Sequence, residues 1–194
     1  MRRVGVFGGT FDPPHIGHLV VVDQVLHELE LDEVRLVVAN HPWQKDGSRF
    51  ISPAARRFEM VSVLADDCDR CIPSGVELEM GGPSYTSATL KVLSESEPDC
   101  EWLPIVGSDV AGGLHTWHQA EQLAASHKFV VVNRPGHQIN ASPGFDILPL
   151  EIPSVDISSS ELRRMVSMGR SVRHLTSSGV IQLIDRWGLY GRGG

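Results

Sequence analysis

Apolar residues along the chain follow two alternating periods. Short apolar runs, RRVGVF at 2–7 and EVRLVVA at 33–39, are typical of β-strands. Between them, at 18–30, apolar residues recur at three- and four-residue intervals, and this spacing predicts an amphipathic helix. The chain therefore starts with a strand, a helix and a second strand.

The same alternation continues along the rest of the chain. Ser52 is expected to cap a helix whose first residue is Pro53, and Thr86 is expected to cap another. Further helices are predicted at 53–67, 86–96, 119–126, 159–168 and 179–187, and further strands at 76–80 (VELEM), 101–109, 128–136 and 146–152. Strands that alternate with helices of this length require a parallel sheet with helices on both faces. We therefore predict a doubly wound, Rossmann-like α/β fold, with residues 1–194 in a single domain.

Composition and charge narrow the classes of partner. The chain has 194 residues, 41% hydrophobic and 21% charged, as in ordinary globular proteins. Its formal net charge of −7 disfavours a broad nucleic-acid-binding face, so an anionic ligand needs a local group of donors. No apolar run approaches the roughly 20 residues that span a bilayer. We expect a cytoplasmic protein that binds neither nucleic acid nor membranes.

The cysteines point to neither a disulfide framework nor a metal site. They number three, and Cys68 and Cys71 form the sequence CDRC between a predicted helix and a predicted strand. No second pair or histidine cluster nearby completes a zinc site. We interpret them as incidental cysteines at the end of a helix.

The segment GGTFDPPHIGH, residues 8–18, follows the first strand and leads into the first helix. Gly8 and Gly9 leave the backbone open to a ligand and permit positive φ. The helix that follows directs free amides and the positive end of its dipole at this turn, an environment suited to a phosphate. Neither GxxxxGK[ST] nor GxGxxG is present, so this is not one of those two phosphate loops.

His15 and His18 are the candidate catalytic residues of this segment. They are three positions apart at the start of a helix and are expected to share a face, with Gly17 leaving room for a phosphate between them. Imidazole donates hydrogen bonds to phosphoryl oxygens, and as a cation it offsets charge that develops during nucleotidyl transfer. The segment as a whole favours phosphate chemistry over a tight helix entry alone.

The segment at 8–18 resembles the HxGH signature of the nucleotidyltransferase superfamily, in the form found in bacterial nicotinate-nucleotide adenylyltransferases. A second segment, ISSSELR at 157–163, is similar to the ISSTxIR motif of that family, with Ser160 and Leu162 in place of Thr and Ile. Both exchanges are conservative, and the resemblance extends over essentially the whole chain. Serines and an arginine at a helix start also suit a pyrophosphate tail, although alone they are commonly a capped surface helix.

The resemblance implies transfer of AMP from ATP to nicotinate mononucleotide, giving nicotinate adenine dinucleotide and pyrophosphate with Mg²⁺ as the cofactor. The helical part at about 154–190 would complete the ATP phosphate site. The residues that the resemblance assigns to ATP are Gly8, Gly9, Thr10, Phe11, His15, His18, Gly107, Asp109, Ser158, Ser159, Ser160 and Arg163. Asp109 lies in GSD, at the end of a predicted strand, and would accept hydrogen bonds from the adenosine ribose. Mg²⁺ would be held mostly by water and phosphate, so no dedicated protein metal ligands are expected.

The resemblance assigns the acceptor nucleotide to a second set of residues. Thr86 and nearby backbone amides would meet the pyridine carboxylate, and Trp117 would stack on the ring. Lys45 and Arg134 would contact the acceptor phosphate, and Lys45 is the weaker match because its loop is shorter than in the family. The assigned residues are Asp12, Lys45, Tyr85, Thr86, Trp117 and Arg134. His115 and His118 have no acidic or cysteine partner nearby and are interpreted as packing residues.

Three alternatives remain open. A related nucleotidyltransferase could use phosphopantetheine, glycerol phosphate or nicotinamide mononucleotide as the acceptor. A metal-dependent hydrolase would need a third ligand in register, but Ile16 and Gly17 stand between the histidines. A nucleotide sensor without catalytic activity is compatible with both motifs. The oligomeric state is also open, with a homo-oligomer among the possibilities.

Overall fold

A computed structural model describes residues 1–42, 51–133, 139–140 and 142–191 of the chain. The strands of this part are β1 (Arg2–Gly9), β2 (Glu33–Val38), β3 (Cys71–Ser74), β4 (Cys100–Gly107), β5 (Phe129–Asn133) and β6 (Ile147–Glu151). The α-helices are α1 (Ile16–Glu28), α2 (Ala54–Ala65), α3 (Val76–Met80), α4 (Thr86–Ser96), α5 (Ser108–Ala111), α6 (Ala120–Ser126), α7 (Ser159–Ser167) and α8 (Ser178–Trp187). A single 3₁₀ turn at Leu114–Thr116 lies between α5 and α6.

The described strands form one parallel sheet in the order β3-β2-β1-β4-β5-β6. The strand order reverses between β1 and β4, which lie side by side at the centre. In such sheets a ligand binds beyond the carboxyl ends of the strands at this reversal. The predicted doubly wound α/β fold is confirmed.

Apolar side chains fill both faces of the sheet. One cluster joins α1 and α2 to the sheet and includes Val25, Leu26 and Val61, and a second joins α4 and α6 to the other face through Leu90, Leu93 and Leu123. Burial on both faces explains why β5, FVVVN, reads as a continuous apolar run rather than an alternating one.

Two predicted helix caps are wrong. Helix α2 begins at Ala54 with Pro53 in the capping position, and Ser52 instead donates its backbone N–H to Asp12. Helix α4 begins at Thr86 itself, with the extended residue Tyr85 in the capping position and no side-chain cap. Both threonine and serine are favourable caps locally, but tertiary contacts decide where the helix starts.

The third strand also differs from the sequence interpretation. Cys71 is its first residue rather than lying ahead of it, and VELEM at 76–80 forms the short helix α3. Strand β3 has four residues and lies at the edge of the sheet, where its backbone carries few ladder bonds. Such a short strand gives almost no periodic signal in the sequence.

The C-terminal helices pack against the body of the chain. Val180, Leu183 and Ile184 of α8 meet Met60 and Leu64 of α2 in a third apolar cluster. Gly179 allows this approach, because a Cβ there would come within 2.2 Å of the Val63 side chain. The packing places α7 and α8 beside the carboxyl end of β1.

Candidate active site

Two pockets meet at the carboxyl ends of β1 and β4. The histidine pocket is lined by His15, Gly17, His18, Ser108, Val155 and Ile157, among others. The Trp117 pocket is lined by Gly8, Gly9, Glu77, Thr86, Trp117 and His118, among others. Phe7, Gly107 and Asp109 line both pockets, so the two are neighbours across the reversal of strand order.

His15 and His18 lie at the start of α1 with their rings in contact. The ring centroids are 3.8 Å apart, and the ring planes are tilted by 32°. The backbone N–H of His15, the capping residue, donates to Nδ1 of His18 at 3.0 Å. Because Nδ1 of His18 accepts, the proton of its neutral ring belongs on Nε2.

His15 is buried, with 7% of its surface exposed. Burial lowers the pKa of His15 to about 4, so the ring is neutral at pH 7. Its Nδ1 atom has no hydrogen-bond partner among the described residues. A buried ring nitrogen without a partner beside a pocket is suited to a ligand oxygen.

The glycines of this segment matter because they lack a side chain and not because they adopt a positive φ. Neither Gly8 nor Gly9 has a positive φ, whereas Phe11 does, at 50°. A Cβ on Gly9 would lie 2.7 Å from the Phe11 ring, and one on Gly17 would lie 3.0 Å from Nδ1 of His15. The expected room for a phosphate between the two histidines is absent because their rings touch. A phosphate would approach the pair at the ring edges.

The turn before α1 is held by the C-terminal helices. Arg163 of α7 donates to the carbonyl of Asp12, and Ser159 donates to the carbonyl of Pro13 at 2.8 Å. Thr176 donates to the carbonyl of Pro14 at 2.9 Å. The sequence-distant ISSSELR segment is therefore part of the same structure as the histidine turn.

The Trp117 pocket combines a helix N-terminus with an aromatic wall. Thr86, the first residue of α4, lies at a helix end whose first amides have no partner within the helix. Tyr85 stacks on His118 with ring centroids 4.5 Å apart, and His118 Nδ1 is 3.0 Å from the Ser87 hydroxyl. An anionic group is favoured at such a helix end.

Comparison with known proteins identifies the family. The profile of the cytidylyltransferase-like proteins matches residues 6–165, which include both pockets and most of α7. The chain belongs to the cytidylyltransferase-like family.

Similar proteins refine this membership. A protein of Leifsonia xyli subsp. xyli named "Probable nicotinate-nucleotide adenylyltransferase" is 39% identical over 97% of this chain and 94% of its own. A Thermus thermophilus protein of the same name is 39% identical over 97% of this chain and 99% of its own. The resemblance carried by residues 8–18 and 157–163 is confirmed.

Solved structures support the fold. The Plasmodium falciparum nicotinic acid mononucleotide adenylyltransferase, in structures complexed with NaAD and with APC, matches with TM-scores of 0.81 and 0.79 at 19% identity. Each match covers 98% of both chains. The cytidylyltransferase-like fold of this chain therefore extends from end to end.

The residues predicted for ATP divide into four groups in the structure. His15, His18, Gly107 and Asp109 line the histidine pocket, whereas Gly8, Gly9 and Thr10 line the Trp117 pocket. Phe11 is buried and packs its ring 4.9 Å from the ring of His18. Ser158, Ser159, Ser160 and Arg163 lie at the start of α7, next to Ile157 of the histidine pocket. The Ser158 hydroxyl caps α7 by accepting from the Glu161 N–H, and Arg163 donates to the Ser160 hydroxyl at 2.9 Å.

The residues predicted for the acceptor are partly brought together. Tyr85, Thr86 and Trp117 line the Trp117 pocket. Asp12 is 1% exposed, and its carboxylate accepts from the Tyr190 hydroxyl at 2.5 Å and from the Ser52 N–H at 3.2 Å. Its carboxylate oxygens therefore bind protein groups in the interior and do not line the pocket. Lys45 and Arg134 lie outside the described residues.

The sequence interpretation missed one structural residue of the site. Arg57 is 1% exposed and donates to the carbonyl groups of Thr10, Asn40 and Ser52. Burial lowers the pKa of Arg57, and the negative charge of Asp12 opposes this shift. The sequence does contain a sign of this burial. Arg57 lies three positions before Met60 and four before Val61, and this spacing places it on the apolar face of a predicted helix.

The histidines at 115 and 118 do not form a pair. His115 contacts the Ser142 hydroxyl, at 3.1 Å from Nδ1, whereas His118 contacts Ser87. In the part of the chain that the structure describes, no three His, Cys, Asp or Glu side chains are grouped as metal ligands. Within the same residues, no helix has both the length and the apolar character needed to span a membrane.

Proposed function

We propose that this protein transfers AMP from ATP to nicotinate mononucleotide, giving nicotinate adenine dinucleotide and pyrophosphate. The observation that carries the proposal is the junction of two pockets at β1 and β4, with the stacked histidines on one side and the Thr86 helix start on the other. A dinucleotide has two halves joined at phosphates, and two pockets that share Phe7, Gly107 and Asp109 match that shape. The named relatives point to the same reaction.

The chemical step is an in-line displacement at the α-phosphorus of ATP. A phosphate oxygen of the acceptor forms a bond to this phosphorus, and the bond from the phosphorus to the bridging oxygen of the β-phosphate breaks. Pyrophosphate leaves with that electron pair. The acceptor phosphate is already ionised at neutral pH, so the protein contributes alignment and charge stabilisation rather than a general base.

His15 and His18 stabilise the reacting phosphate by donating hydrogen bonds. In the unliganded protein His15 is neutral, and the neutral ring of His18 carries its proton on Nε2 because Nδ1 accepts from the His15 N–H. An anion at the ring edges raises the pKa of a nearby imidazole, so substrate binding favours protonation within the pair. The positive charge that stabilises the transition state is then formed on the histidine pair when the substrate binds.

The Trp117 pocket receives the nicotinate half of the acceptor. The pyridine carboxylate binds the amides and hydroxyl of Thr86 at the start of α4, where the helix dipole favours an anion. Trp117 provides an aromatic face for the ring. Asp109, exposed at the junction, accepts hydrogen bonds from the adenosine ribose. A Cβ on Gly107 would lie 2.4 Å from the Asp109 carboxylate, so a side chain there would displace that carboxylate.

Magnesium enters with ATP as part of the substrate. The described residues around the two pockets offer the carboxylates of Asp109 and Glu77 but no grouped set of metal ligands. Mg²⁺ commonly keeps several waters and binds through substrate phosphates in such sites. Bound in this way, it neutralises the leaving pyrophosphate, while Arg163 and the serines of α7 lie close to the outer phosphates.

The test is pyrophosphate release from MgATP with nicotinate mononucleotide, nicotinamide mononucleotide and phosphopantetheine offered separately. Nicotinate mononucleotide is expected to give release at least about tenfold faster than the other two, because only it carries the carboxylate that the Thr86 helix start favours. Omission of Mg²⁺ is expected to abolish the release. Folded protein that binds ATP but releases pyrophosphate with none of the three acceptors would favour a nucleotide sensor instead.

A further inference from the structure

Glu77 is a buried carboxylate in the wall of the Trp117 pocket. It is 8% exposed and belongs to the short helix α3. Its Oε1 atom accepts from the Thr89 hydroxyl at 2.6 Å. Its Oε2 atom has no hydrogen-bond partner among the described residues. A buried carboxylate oxygen without a donor is costly unless a ligand or water completes it.

The position of Glu77 is fixed relative to the acceptor end of the site. Thr89 lies one helical turn after Thr86 and also donates to the carbonyl of Tyr85 at 3.2 Å. The carboxylate is therefore anchored through α4, the same helix whose first residue faces the pocket. Anchoring at Oε1 leaves Oε2 without a protein donor, in a residue that lines the pocket.

The charge on Glu77 is balanced at a distance rather than by direct pairing. Arg57 lies close enough that the charge of Glu77 opposes the lowering of the Arg57 pKa by burial. The hydrogen bonds of Arg57, however, go to three backbone carbonyl groups. Arg57 therefore does not occupy the second carboxylate oxygen of Glu77.

The proposed acceptor offers few groups that can donate to this oxygen. Nicotinate mononucleotide has no N–H, and its carboxylate and phosphate are anions that a carboxylate repels. Its remaining donors are the two hydroxyl groups of the ribose, which lies between the ring and the reacting phosphate. Hydrogen bonds from hydroxyl groups to an ionised carboxylate are among the stronger ones in proteins.

We infer that Glu77 binds a ribose hydroxyl of the acceptor nucleotide through Oε2 and so sets the position of the acceptor phosphate. This inference rests on the proposed function, since it takes the acceptor to be a pyridine mononucleotide. It adds a binding residue in α3 to the histidine, Thr86 and Trp117 sites. It also gives a role to a buried carboxylate in the wall of the pocket.

The experiment is a cycle that combines substitutions of Glu77 with removal of single ribose hydroxyl groups from the acceptor, and it measures whether the two effects are additive. Wild type, Glu77→Gln and Glu77→Met are assayed with nicotinate mononucleotide and with its 2′-deoxy and 3′-deoxy ribose analogues. In the wild type, removal of the bound hydroxyl is expected to raise the acceptor KM about tenfold or more. In Glu77→Met the same removal is expected to change KM by less than about twofold, with an intermediate factor in Glu77→Gln. The KM for ATP is expected to stay within about twofold of wild type in both variants.

Glu79→Gln is the matched control, because Glu79 lies in the same helix but is exposed. It should behave as the wild type with all three acceptors. If Glu77→Met does not fold, as judged by circular dichroism, the isosteric Glu77→Gln alone carries the cycle. Equal hydroxyl effects in the wild type and in folded Glu77 variants would overturn the inference.

The same data separate failure of this inference from failure of the proposed function. Wild-type turnover of intact nicotinate mononucleotide reports on the function alone. If the wild type binds this nucleotide without turnover, the cycle is read from Kd, by quenching of tryptophan fluorescence. A wild type that neither binds nor converts it would overturn both.

Discussion

The rings of His15 and His18 are in contact at the proposed phosphate site. Two imidazolium rings 3.8 Å apart would repel each other strongly, so protonation of both rings at once is disfavoured. Burial of His15 acts in the same direction. The donors are therefore positioned in advance, and their protonation is coupled to binding of an anion.

Replacement of His18 tests the donor role. We expect His18→Ala to lower kcat about a hundredfold or more, because a preoriented donor to the transition state is lost. Steady-state pyrophosphate release measures the change, and circular dichroism checks folding. His27→Ala is the control, since His27 is an exposed residue in the last turn of the same helix. Turnover within a few-fold of wild type would remove His18 from the mechanism.

Burial of His15 also predicts how stability depends on pH. The pKa of His15 is about 4 in the folded protein and 6.5 in the ordinary residue, so the unfolded chain takes up the proton first. Its contribution to stability is complete above about pH 6.5 and is lost as the pH falls towards about 4. Between about pH 7.5 and about pH 5 we expect the wild type to lose about 2 kcal/mol more unfolding free energy than His15→Gln. Urea titrations at both pH values measure this difference, and equal losses would show that His15 titrates normally.

Replacement of Gly8 is expected to change activity without lowering stability. A Cβ on Gly8 would meet no atom within 4 Å, although Gly8 lines the Trp117 pocket. We expect Gly8→Ala to leave the urea midpoint unchanged or slightly raised, while kcat/KM falls about tenfold or more because the methyl occupies ligand space. Gly9→Ala provides the contrast, since its Cβ would strike the Phe11 ring and lower stability. Full activity in Gly8→Ala would mean that no ligand approaches the backbone there.

At the scale of elements, the sequence predicts the helices and strands that have a periodic hydrophobic pattern. It does not predict the features that tertiary contacts determine. Long amphipathic helices such as α1 and apolar strands such as β5 were predicted because their patterns repeat over several residues. The strand β3 and the starts of α2 and α4 were not, because single tertiary contacts fix them. The Ser52 N–H, for example, binds Asp12, 40 positions away, and no local pattern contains that information.

Tyr190, which follows α8, adds a buried hydroxyl contact to the histidine turn. Tyr190 donates to Asp12 at 2.5 Å, and Asp12 is 1% exposed. We expect Tyr190→Phe to lower the free energy of unfolding by about 1–3 kcal/mol, because it leaves a buried carboxylate oxygen without its donor. The KM for ATP should rise in the same variant, since the turn carries His15. Chemical unfolding and steady-state kinetics measure the two effects.

A double-mutant cycle tests whether this effect belongs to the pair. In a chain that already carries Asp12→Ala, Tyr190→Phe should cost much less than it does in the wild type. An equal cost in both backgrounds would assign the effect to Tyr190 packing alone.

At the scale of the whole molecule, the site is assembled from distant parts of the chain. The sequence motifs at 8–18 and 157–163 identified the family, and the structure brings the two segments into contact. Their contact through Arg163 and the Asp12 carbonyl joins residues 151 positions apart. Periodicity cannot supply such a pairing, and only the resemblance did. The roles of Glu77 and Arg57 needed the structure, because buried charge is visible only when burial is known.

This assembly predicts that the body and the C-terminal helices unfold together. Trp102 reports on the cluster beneath the sheet, and Trp187 of α8 reports on the cluster shared with α2. The two regions are connected by Thr176 on the Pro14 carbonyl and by the Ile16 N–H, which donates to the carbonyl of Leu175 at 3.0 Å. We expect variants that retain only Trp102 or only Trp187, with the other tryptophans changed to Phe, to give the same urea midpoint by fluorescence.

Ligand binding extends this test. ATP binds the folded site that both regions build, so it should shift the two midpoints upward by the same amount. A lower midpoint for the Trp187 reporter would mean that α7 and α8 form a separate unit that docks on the sheet. In that case ATP should raise the Trp187 midpoint more than the Trp102 midpoint, because ordering of the helices would then be linked to phosphate binding.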